Sequence, residues 1–220
     1  MPPALVVFDL DGTLIDSAAD LAAAINRMLA DFGREPLSLP EVRRMIGDGV
    51  AMLVARALAA RQCEPADPAA AARLFMRHYE SAATLRTTVF PGAVAALRAL
   101  RAAGIPLAVC TNKPAGLSAG ILDSLGLAQY FARVIGGDSL PYRKPDPRVL
   151  LALLEPFAVR PEDSLLVGDS EVDAATAHAA GVPFVLMKHG YRRAAAQEIH
   201  CIAALENFAE LPGLIGGALR

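Results

Sequence analysis

The sequence predicts an α/β fold, a doubly wound parallel sheet into which an all-helical cap domain is inserted. Two observations predict it. Short apolar runs alternate with stretches of helical periodicity over most of the chain, which is typical of βαβ units with right-handed crossovers. One long segment near the N-terminus has helical patterns and contains no convincing strand.

Four apolar runs have the character of strands that are buried on both faces of a parallel sheet. They cover residues 4–8, 105–110, 164–167 and 183–187, and each ends at polar or glycine residues. A weaker candidate is the run 133–135, which precedes two glycines. Ligands of such sheets bind at the carboxyl ends of the strands, so the residues after these runs are the first candidates for function.

Helices are predicted between these strands, because apolar residues recur there at intervals of three and four. The patterns cover residues 94–101, 117–125, 149–154 and 172–180. Glycines follow the first two patterns, as is typical of helix ends.

The cap domain is predicted to span residues 17–87, and the core domain to comprise residues 1–16 and 88–220. Helical spacing without strand patterns sets the cap apart from the rest of the chain. We expect hinges near residues 15–17 and 87–91, where the chain would leave the core and return to it.

Within the predicted cap, several features mark individual helices. Ser38 and Glu41 have the spacing of a capping box, and Asp67 followed by Pro68 indicates another helix start. One helical face ends at Gly33 and carries five apolar residues: Leu21, Ile25, Met28, Leu29 and Phe32.

Composition and charge favour a soluble protein that acts on a small molecule. The 21 basic and 23 acidic side chains give a formal net charge of −2, so no net field attracts nucleic acid or an anionic membrane. The three cysteines show no motif spacing, and the N-terminal apolar run is too short for a signal peptide or a membrane span. We therefore expect a cytoplasmic protein, as a monomer or a homodimer.

Two aspartates directly follow the first predicted strand. Residues two apart at a strand end point the same way, so Asp9 and Asp11 could place a nucleophile and an acid/base in one site. Gly12 permits a tight turn close to a ligand. The alternative is an acidic loop in which both aspartates cap a turn or a helix.

A second acidic group follows another predicted strand and consists of Asp169 and, further on, Asp173. Mg²⁺ prefers oxygen ligands and commonly uses one or two carboxylates. A sheet that brings Asp9 and Asp169 together would therefore form a magnesium site. The alternative is a helix N-cap at Asp169 with Asp173 in solvent.

Polar residues also follow the strand predicted at 105–110. The hydroxyl of Thr111, with nearby backbone N–H groups, is suited to holding phosphoryl oxygens, although a turn before a helix explains the same residues. Lys144 lies in a loop before a helix. It either adds a cation to the site or is an ordinary surface charge.

These four segments, in this order, resemble the motifs of the haloacid dehalogenase superfamily over nearly the whole chain. The resemblance implies a Rossmann-like core. It also implies that Asp9 is the nucleophile and that Asp11 first protonates the leaving group and then activates water.

The same resemblance implies how phosphate and metal are bound. Thr111, with Asn112 beside it, would bind the phosphoryl group, and Lys144 would stabilise it. Mg²⁺ would be held by the carboxylates of Asp9 and Asp169 and by the backbone carbonyl of Asp11. The Asp173 carboxylate would support these ligands.

Three features distinguish between activities of the superfamily. The dehalogenases generally lack the second aspartate, so Asp11 favours phosphate chemistry. Phosphonoacetaldehyde hydrolases need a cap lysine, and residues 17–87 contain none. β-Phosphoglucomutases usually carry a histidine where this chain has Leu21, which disfavours a mutase.

The remaining similarity is to bacterial phosphoglycolate phosphatases, in residues 8–17, the helical cap and the loop that contains Gly47 and Gly49. A glycine-flanked helix start can donate N–H groups to a small anion. Arg43 or Arg44 could meet the carboxylate of that anion. A plain connection between two helices, with both arginines in water, explains the same residues.

The sequence therefore predicts a Mg²⁺-dependent phosphatase that hydrolyses a small phosphomonoester through an aspartyl phosphate. The leading candidate for the substrate is 2-phosphoglycolate. A broad sugar-phosphate or nucleotide phosphatase, a pyrophosphatase or a phosphomutase is the alternative within the superfamily. A non-catalytic metabolite-binding protein is the alternative outside the enzymes.

Overall fold

The computed structural model describes residues 2–217 of the chain. In chain order its helices and strands are β1 (Leu5–Phe8), β2 (Ile15–Asp16), α1 (Ala18–Asp31), α2 (Leu39–Arg43), α3 (Val50–Ala60), α4 (Pro68–Glu80), β3 (Thr88–Val89), α5 (Ala93–Ala102), β4 (Leu107–Cys110), α6 (Ala115–Ser124), β5 (Arg133–Ile135), α7 (Arg148–Leu154), β6 (Ser164–Gly168), α8 (Glu171–Ala180), β7 (Phe184–Met187), β8 (Ala203–Leu205) and α9 (Leu211–Gly217).

Six strands form one parallel sheet in the order β5-β4-β1-β6-β7-β8. All five strands predicted from apolar runs are present, so the predicted α/β fold with a parallel sheet is confirmed. The sixth strand, β8, was not predicted. It is a three-residue edge strand, and two of its residues are alanines, which are depleted in strands.

The sheet is covered on both faces, because alternate residues of each strand point to opposite sides. Val6 and Phe8 of β1 share an apolar cluster with residues of α5, α6 and α9. Leu5 and Val7 share a second cluster with residues of α7 and α8. This arrangement is the doubly wound packing that the alternation of strands and helices predicts.

The four helices α1 to α4 pack together between β2 and β3. These two short strands pair antiparallel, with Ile15 opposite Val89 and Asp16 opposite Thr88. The chain thus leaves for the helices and returns from them at neighbouring positions. Both positions fall within the ranges in which the hinges are predicted.

Local interactions fix the starts of two of these helices as the sequence indicates. Ser38 and Glu41 form the capping box of α2. Asp67 accepts hydrogen bonds from the N–H groups of Ala69 and Ala70 at the start of α4. Among the described residues, no helix has the length and apolar character that crossing a membrane requires.

Candidate active site

Three neighbouring strands bring the polar residues predicted from the sequence to one edge of the sheet. Phe8, the last residue of β1, lies opposite Val109 of β4 on one side and Val167 of β6 on the other. Asp9 and Asp169 therefore follow adjacent strand ends, with Thr111 beyond β4. β1 is also where the strand order changes direction, the usual position of a ligand crevice in such sheets.

Three buried carboxylates form a cluster at this edge. Asp9, Asp169 and Asp173 each offer an oxygen, and these oxygens lie within 4.8 Å of one another. Burial, together with the charges of Asp173 and Asp9, raises the pKa of Asp169 well above its ordinary value. Burial also raises the pKa of Asp9 to about 6, although Lys144 acts in the opposite direction.

This cluster fits a hard divalent cation. The buried Asp9 Oδ1 lies 2.8 Å from Lys144 Nζ but accepts no hydrogen bond from the described residues. Asp9 and Asp173 share the one ammonium of Lys144, so the three carboxylates hold more negative charge than this cation offsets. Clustered carboxylate oxygens are also the ligands that Mg²⁺ prefers, so the donor set suits the predicted ion.

Two interactions from distant parts of the chain hold the Asp169 carboxylate. The hydroxyl of Thr13 donates to Oδ1 at 2.8 Å, and the N–H of Tyr191 donates to Oδ2 at 2.6 Å. Glycines permit this close approach. A Cβ at Gly190 would lie 2.1 Å from Asp169 Oδ2, and one at Gly12, where φ is +88°, would lie 2.5 Å from it.

Lys144 lies between two of the carboxylates. Its ammonium donates to Asp173 Oδ1 at 2.6 Å and lies 2.8 Å from Asp9 Oδ1. These two anions outweigh burial and raise the pKa of Lys144, which stays charged. With only 3% of its surface exposed, Lys144 is not an ordinary surface charge.

Asp173 is likewise fully buried, so the alternative that placed it in solvent is wrong. Its Oδ2 accepts hydrogen bonds from Ser170 Oγ at 2.6 Å and from the N–H groups of Ser170 and Asp169. The N-cap of α8 is Ser170, not Asp169. The hydrogen bonds of Asp173 therefore hold in place both Lys144 and the loop that contains Asp169.

Thr111 and Asn112 lie beside Asp9 and Asp11 in the wall of a small cavity. The Thr111 hydroxyl accepts a hydrogen bond from the N–H of Lys113 at 3.2 Å, which leaves its own proton for a phosphoryl oxygen. Asn112 donates through Nδ2 to the backbone carbonyls of Gly47 and Lys144, each at 3.0 Å. Its Oδ1 is buried without a partner among the described residues.

The cavity lies between the sheet edge and the helices, and its solvent-accessible volume is about 40 Å³, the space of a few water molecules. Gly47 and Gly49, whose role in substrate binding stays a prediction, line it. The helical wall also contains Tyr79 and four aliphatic side chains: Leu21, Ile46, Val50 and Leu53.

Arg43 is not among the residues that line the cavity. Its Nη2 donates to Asp16 Oδ2 at 2.7 Å, and its guanidinium lies 5.8 Å from the centre of the Tyr191 ring. Arg44 is exposed to solvent. A contact between either arginine and a substrate carboxylate stays a prediction.

Sequence reasoning missed several residues of the site, among them Lys113 and Tyr79. Lys113 Nζ donates to both oxygens of Asp11 at 3.0 Å and to the Tyr79 hydroxyl at 2.7 Å. The sequence does indicate that Lys113 could belong to the site, because the chain has only three lysines and this one directly follows Asn112. Nothing in the sequence marks Tyr79, which occupies an apolar position in the pattern of α4.

The chain is similar to proteins whose names agree with this site. Residues 6–187 match the family model of haloacid dehalogenase-like hydrolases. A phosphoglycolate phosphatase of Cereibacter sphaeroides is 50% identical over 213 residues, which cover 96% of each chain. A phosphoglycolate phosphatase of Rhodospirillum rubrum is 46% identical over 220 residues, covering 97% of this chain and 91% of that one.

A solved structure shows the same architecture. The crystal structure of a predicted phosphoglycolate phosphatase from Haemophilus somnus superimposes with a TM-score of 0.92 at 32% identity. The superposition covers 96% of this chain and 97% of the other. The family match, the relatives and the shared fold agree, and this chain belongs to the haloacid dehalogenase-like hydrolases.

Proposed function

We propose that this chain is a Mg²⁺-dependent phosphatase that hydrolyses 2-phosphoglycolate through an aspartyl phosphate on Asp9. The observation that carries the proposal is the setting of Asp9: a buried carboxylate at the cavity, beside a buried lysine and two further carboxylates. The relatives at 46–50% identity, which are named phosphoglycolate phosphatases, support the choice of substrate.

In the first step, an oxygen of Asp9 forms a bond to phosphorus while the bond from phosphorus to the leaving oxygen breaks. Asp11 gives its proton to that oxygen, so the product leaves as an alcohol. Thr111 and Lys144 bind the phosphoryl oxygens and offset their charge. In the second step, Asp11 takes a proton from water, which attacks the phosphorus and frees Asp9.

Mg²⁺ would be held by the carboxylates of Asp9 and Asp169 and by the backbone carbonyl of Asp11, with Asp173 supporting these ligands. When bound, the ion supplies positive charge that offsets the repulsion between the Asp9 carboxylate and the phosphate. The clustered carboxylates, two of which share the single ammonium of Lys144, support this assignment.

We further propose that residues 17–87 form a cap domain over a core of residues 1–16 and 88–220, and that cap closure excludes bulk water. The paired strands β2 and β3, where the chain leaves the core and returns, support these boundaries. The small cavity favours a small phosphorylated metabolite. Leu21 lines it and offers no proton donor, which argues against a mutase.

The substrate would be held by groups of both domains. We propose that Asn112, beside Thr111, helps to bind the phosphoryl group, that Gly47 and Gly49 donate N–H groups to the rest of the substrate, and that Arg43 attracts its carboxylate. The three cysteines are free thiols, which supports a reducing compartment, and we propose the cytoplasm.

A substrate panel tests the proposal. Phosphate release is measured with 2-phosphoglycolate, sugar phosphates, nucleotides and pyrophosphate, each with Mg²⁺ and with EDTA. We expect 2-phosphoglycolate to be among the best substrates by kcat/KM and activity to need the metal. If another class is preferred, the substrate assignment is wrong, although the mechanism stands.

The variant Asp9→Asn tests the covalent step, because an amide is a poor nucleophile at phosphorus. We expect phosphate release to vanish in this variant. Unchanged turnover would contradict the aspartyl phosphate. If the wild-type protein released no phosphate from any compound of the panel, a non-catalytic metabolite-binding role would be favoured.

A further inference from the structure

A side chain of helix α4 reaches the acid/base residue of the proposed reaction through one lysine. Lys113, directly after the core residues Thr111 and Asn112, donates to Asp11 Oδ1 and Oδ2, each at 3.0 Å. The same ammonium donates to the hydroxyl of Tyr79 at 2.7 Å. The contact spans the boundary between the helices and the sheet edge, and all three side chains line the cavity.

The donors of Lys113 are fully used by these contacts. An ammonium has three N–H groups and no acceptor, and Lys113 makes three hydrogen bonds to Asp11 and Tyr79. It therefore has no donor left for a substrate. In this arrangement Lys113 orients Asp11 and does not itself bind the substrate.

Tyr79 is held firmly as the third partner. It is 1% exposed, and its ring stacks on Phe75, one turn earlier in α4, with 5.6 Å between ring centres. The Lys113 ammonium lies 4.6 Å from the centre of the Tyr79 ring, which adds a cation–π attraction. Burial raises the pKa of Tyr79 to about 12, so the phenol stays neutral and accepts the hydrogen bond.

We propose that Tyr79 and Lys113 are positioning residues that fix the Asp11 carboxyl group toward the leaving oxygen, so that proton transfer depends on α4 being packed over the sheet edge. The inference rests on the proposed phosphatase function. Phosphoryl transfer itself would proceed on Asp9, whereas the proton needed by the leaving group would come from Asp11, which this pair holds together with the Ser17 hydroxyl, 2.5 Å from Oδ1.

Two substrates of similar size can distinguish a role in positioning Asp11 from a general loss of active-site structure. 2-Phosphoglycolate needs a proton on its leaving alkoxide, whereas acetyl phosphate expels acetate, a weak base that leaves without one. The ratio of their kcat/KM values reports the proton transfer of the first step, because both substrates form the same aspartyl phosphate.

We expect Tyr79→Phe and Lys113→Met to lower kcat/KM for 2-phosphoglycolate by up to the order of 10²-fold, the scale of general acid catalysis. The value for acetyl phosphate should change by less than about threefold, since its step uses no general acid. Tyr130→Phe is the matched control, because Tyr130 also accepts a hydrogen bond from a cation, Arg98 at 3.0 Å, away from the cavity. It should leave both values unchanged.

An equal loss on both substrates, or no loss on either, would overturn the inference, because a purely structural role moves both values together. Tyr79→Phe removes one oxygen and keeps the ring stacked on Phe75, so it remains informative if Lys113→Met does not fold. The proposed function is judged separately. Its catalytic mechanism fails, and the inference with it, only if the wild-type protein hydrolyses neither substrate or if Asp9→Asn keeps full activity.

Discussion

The Lys144 ammonium donates a 2.6 Å hydrogen bond to Asp173, and both side chains are buried. The same nitrogen lies 2.8 Å from Asp9 Oδ1. Two buried anions thus share one cation, and removing it would leave both without a counter charge. A broken buried ion pair is far more costly than a broken surface pair.

Lys144→Met should therefore lower the free energy of unfolding by about 3 kcal/mol or more in metal-free buffer. Urea denaturation followed by circular dichroism measures the change. Lys188→Met is the matched control, because Lys188 is a third exposed and pairs with Glu206 at 2.6 Å. Its loss should cost less than about 1 kcal/mol. Equal effects of the two substitutions would contradict the assigned role of Lys144.

Asp169→Asn should stabilise the metal-free protein and abolish its response to Mg²⁺. The substitution removes one of three carboxylates whose oxygens lie within 4.8 Å of one another. An amide can still accept from the N–H of Tyr191 and donate to the Thr13 hydroxyl. We expect a gain of about 1 kcal/mol in EDTA, as is common when a strained functional site is relieved.

Thermal denaturation with and without Mg²⁺ checks this prediction, because an ion that binds the folded state raises Tm. The wild-type protein should show the rise and Asp169→Asn should not. The exposed Asp123→Asn is the control and should respond to Mg²⁺ like the wild type. A full Mg²⁺ response in Asp169→Asn would argue against Asp169 as a ligand.

Gly190→Ala should disable the site. The new Cβ would lie 2.1–2.3 Å from three atoms of the Asp169 side chain, so the carboxylate would have to move. We expect loss of activity and of the Mg²⁺ response. Gly120→Ala is the matched control, because Gly120 is an exposed position of α6 where a Cβ would meet no heavy atom within 4 Å. It should raise stability by up to about 1 kcal/mol.

Asp20→Ala should destabilise the segment in which the chain returns from the helices to the sheet. The buried Asp20 carboxylate accepts hydrogen bonds from the N–H groups of Arg86 and Thr87 and from the Thr87 hydroxyl. Leaving these donors without an acceptor should cost about 2–3 kcal/mol by urea denaturation.

The comparison variant is Asp67→Ala, since Asp67 also accepts two backbone N–H groups but is exposed. We expect it to cost about 1 kcal/mol. If Asp20→Ala lowered the free energy of unfolding by no more than Asp67→Ala does, burial would add nothing to the contribution of the Asp20 hydrogen bonds.

The parts of the fold that the sequence predicts are those in which apolar patterning decides the structure. β1 and β6 are buried on both faces, so their residues form continuous apolar runs that are visible without a structure. β8 is a short edge strand that is stabilised by its pairing with β7. The two-residue strands β2 and β3 form only because they pair with each other. Pairing of this kind is a tertiary property and leaves no local pattern.

For the candidate site, the sequence indicates the residues that follow strand ends and misses those supplied by tertiary packing. Asp9 and Thr111 directly follow predicted strands, so the topology of a parallel sheet brings them together. Tyr79 and Thr13 reach their partners only through the packing of the chain. A tyrosine at an apolar helix position looks like any other core residue until its hydroxyl is seen against Lys113.

The antiparallel pair of β2 and β3 has a consequence for how proteins of this architecture can diversify. Because Ile15 faces Val89, the two ends of the helical insertion are one strand spacing apart, about 5 Å. Such an insertion can be lengthened, replaced or removed as a cassette without changing the register of the parallel sheet. The residues that follow the strand ends and the helices that line the cavity can then change independently during evolution.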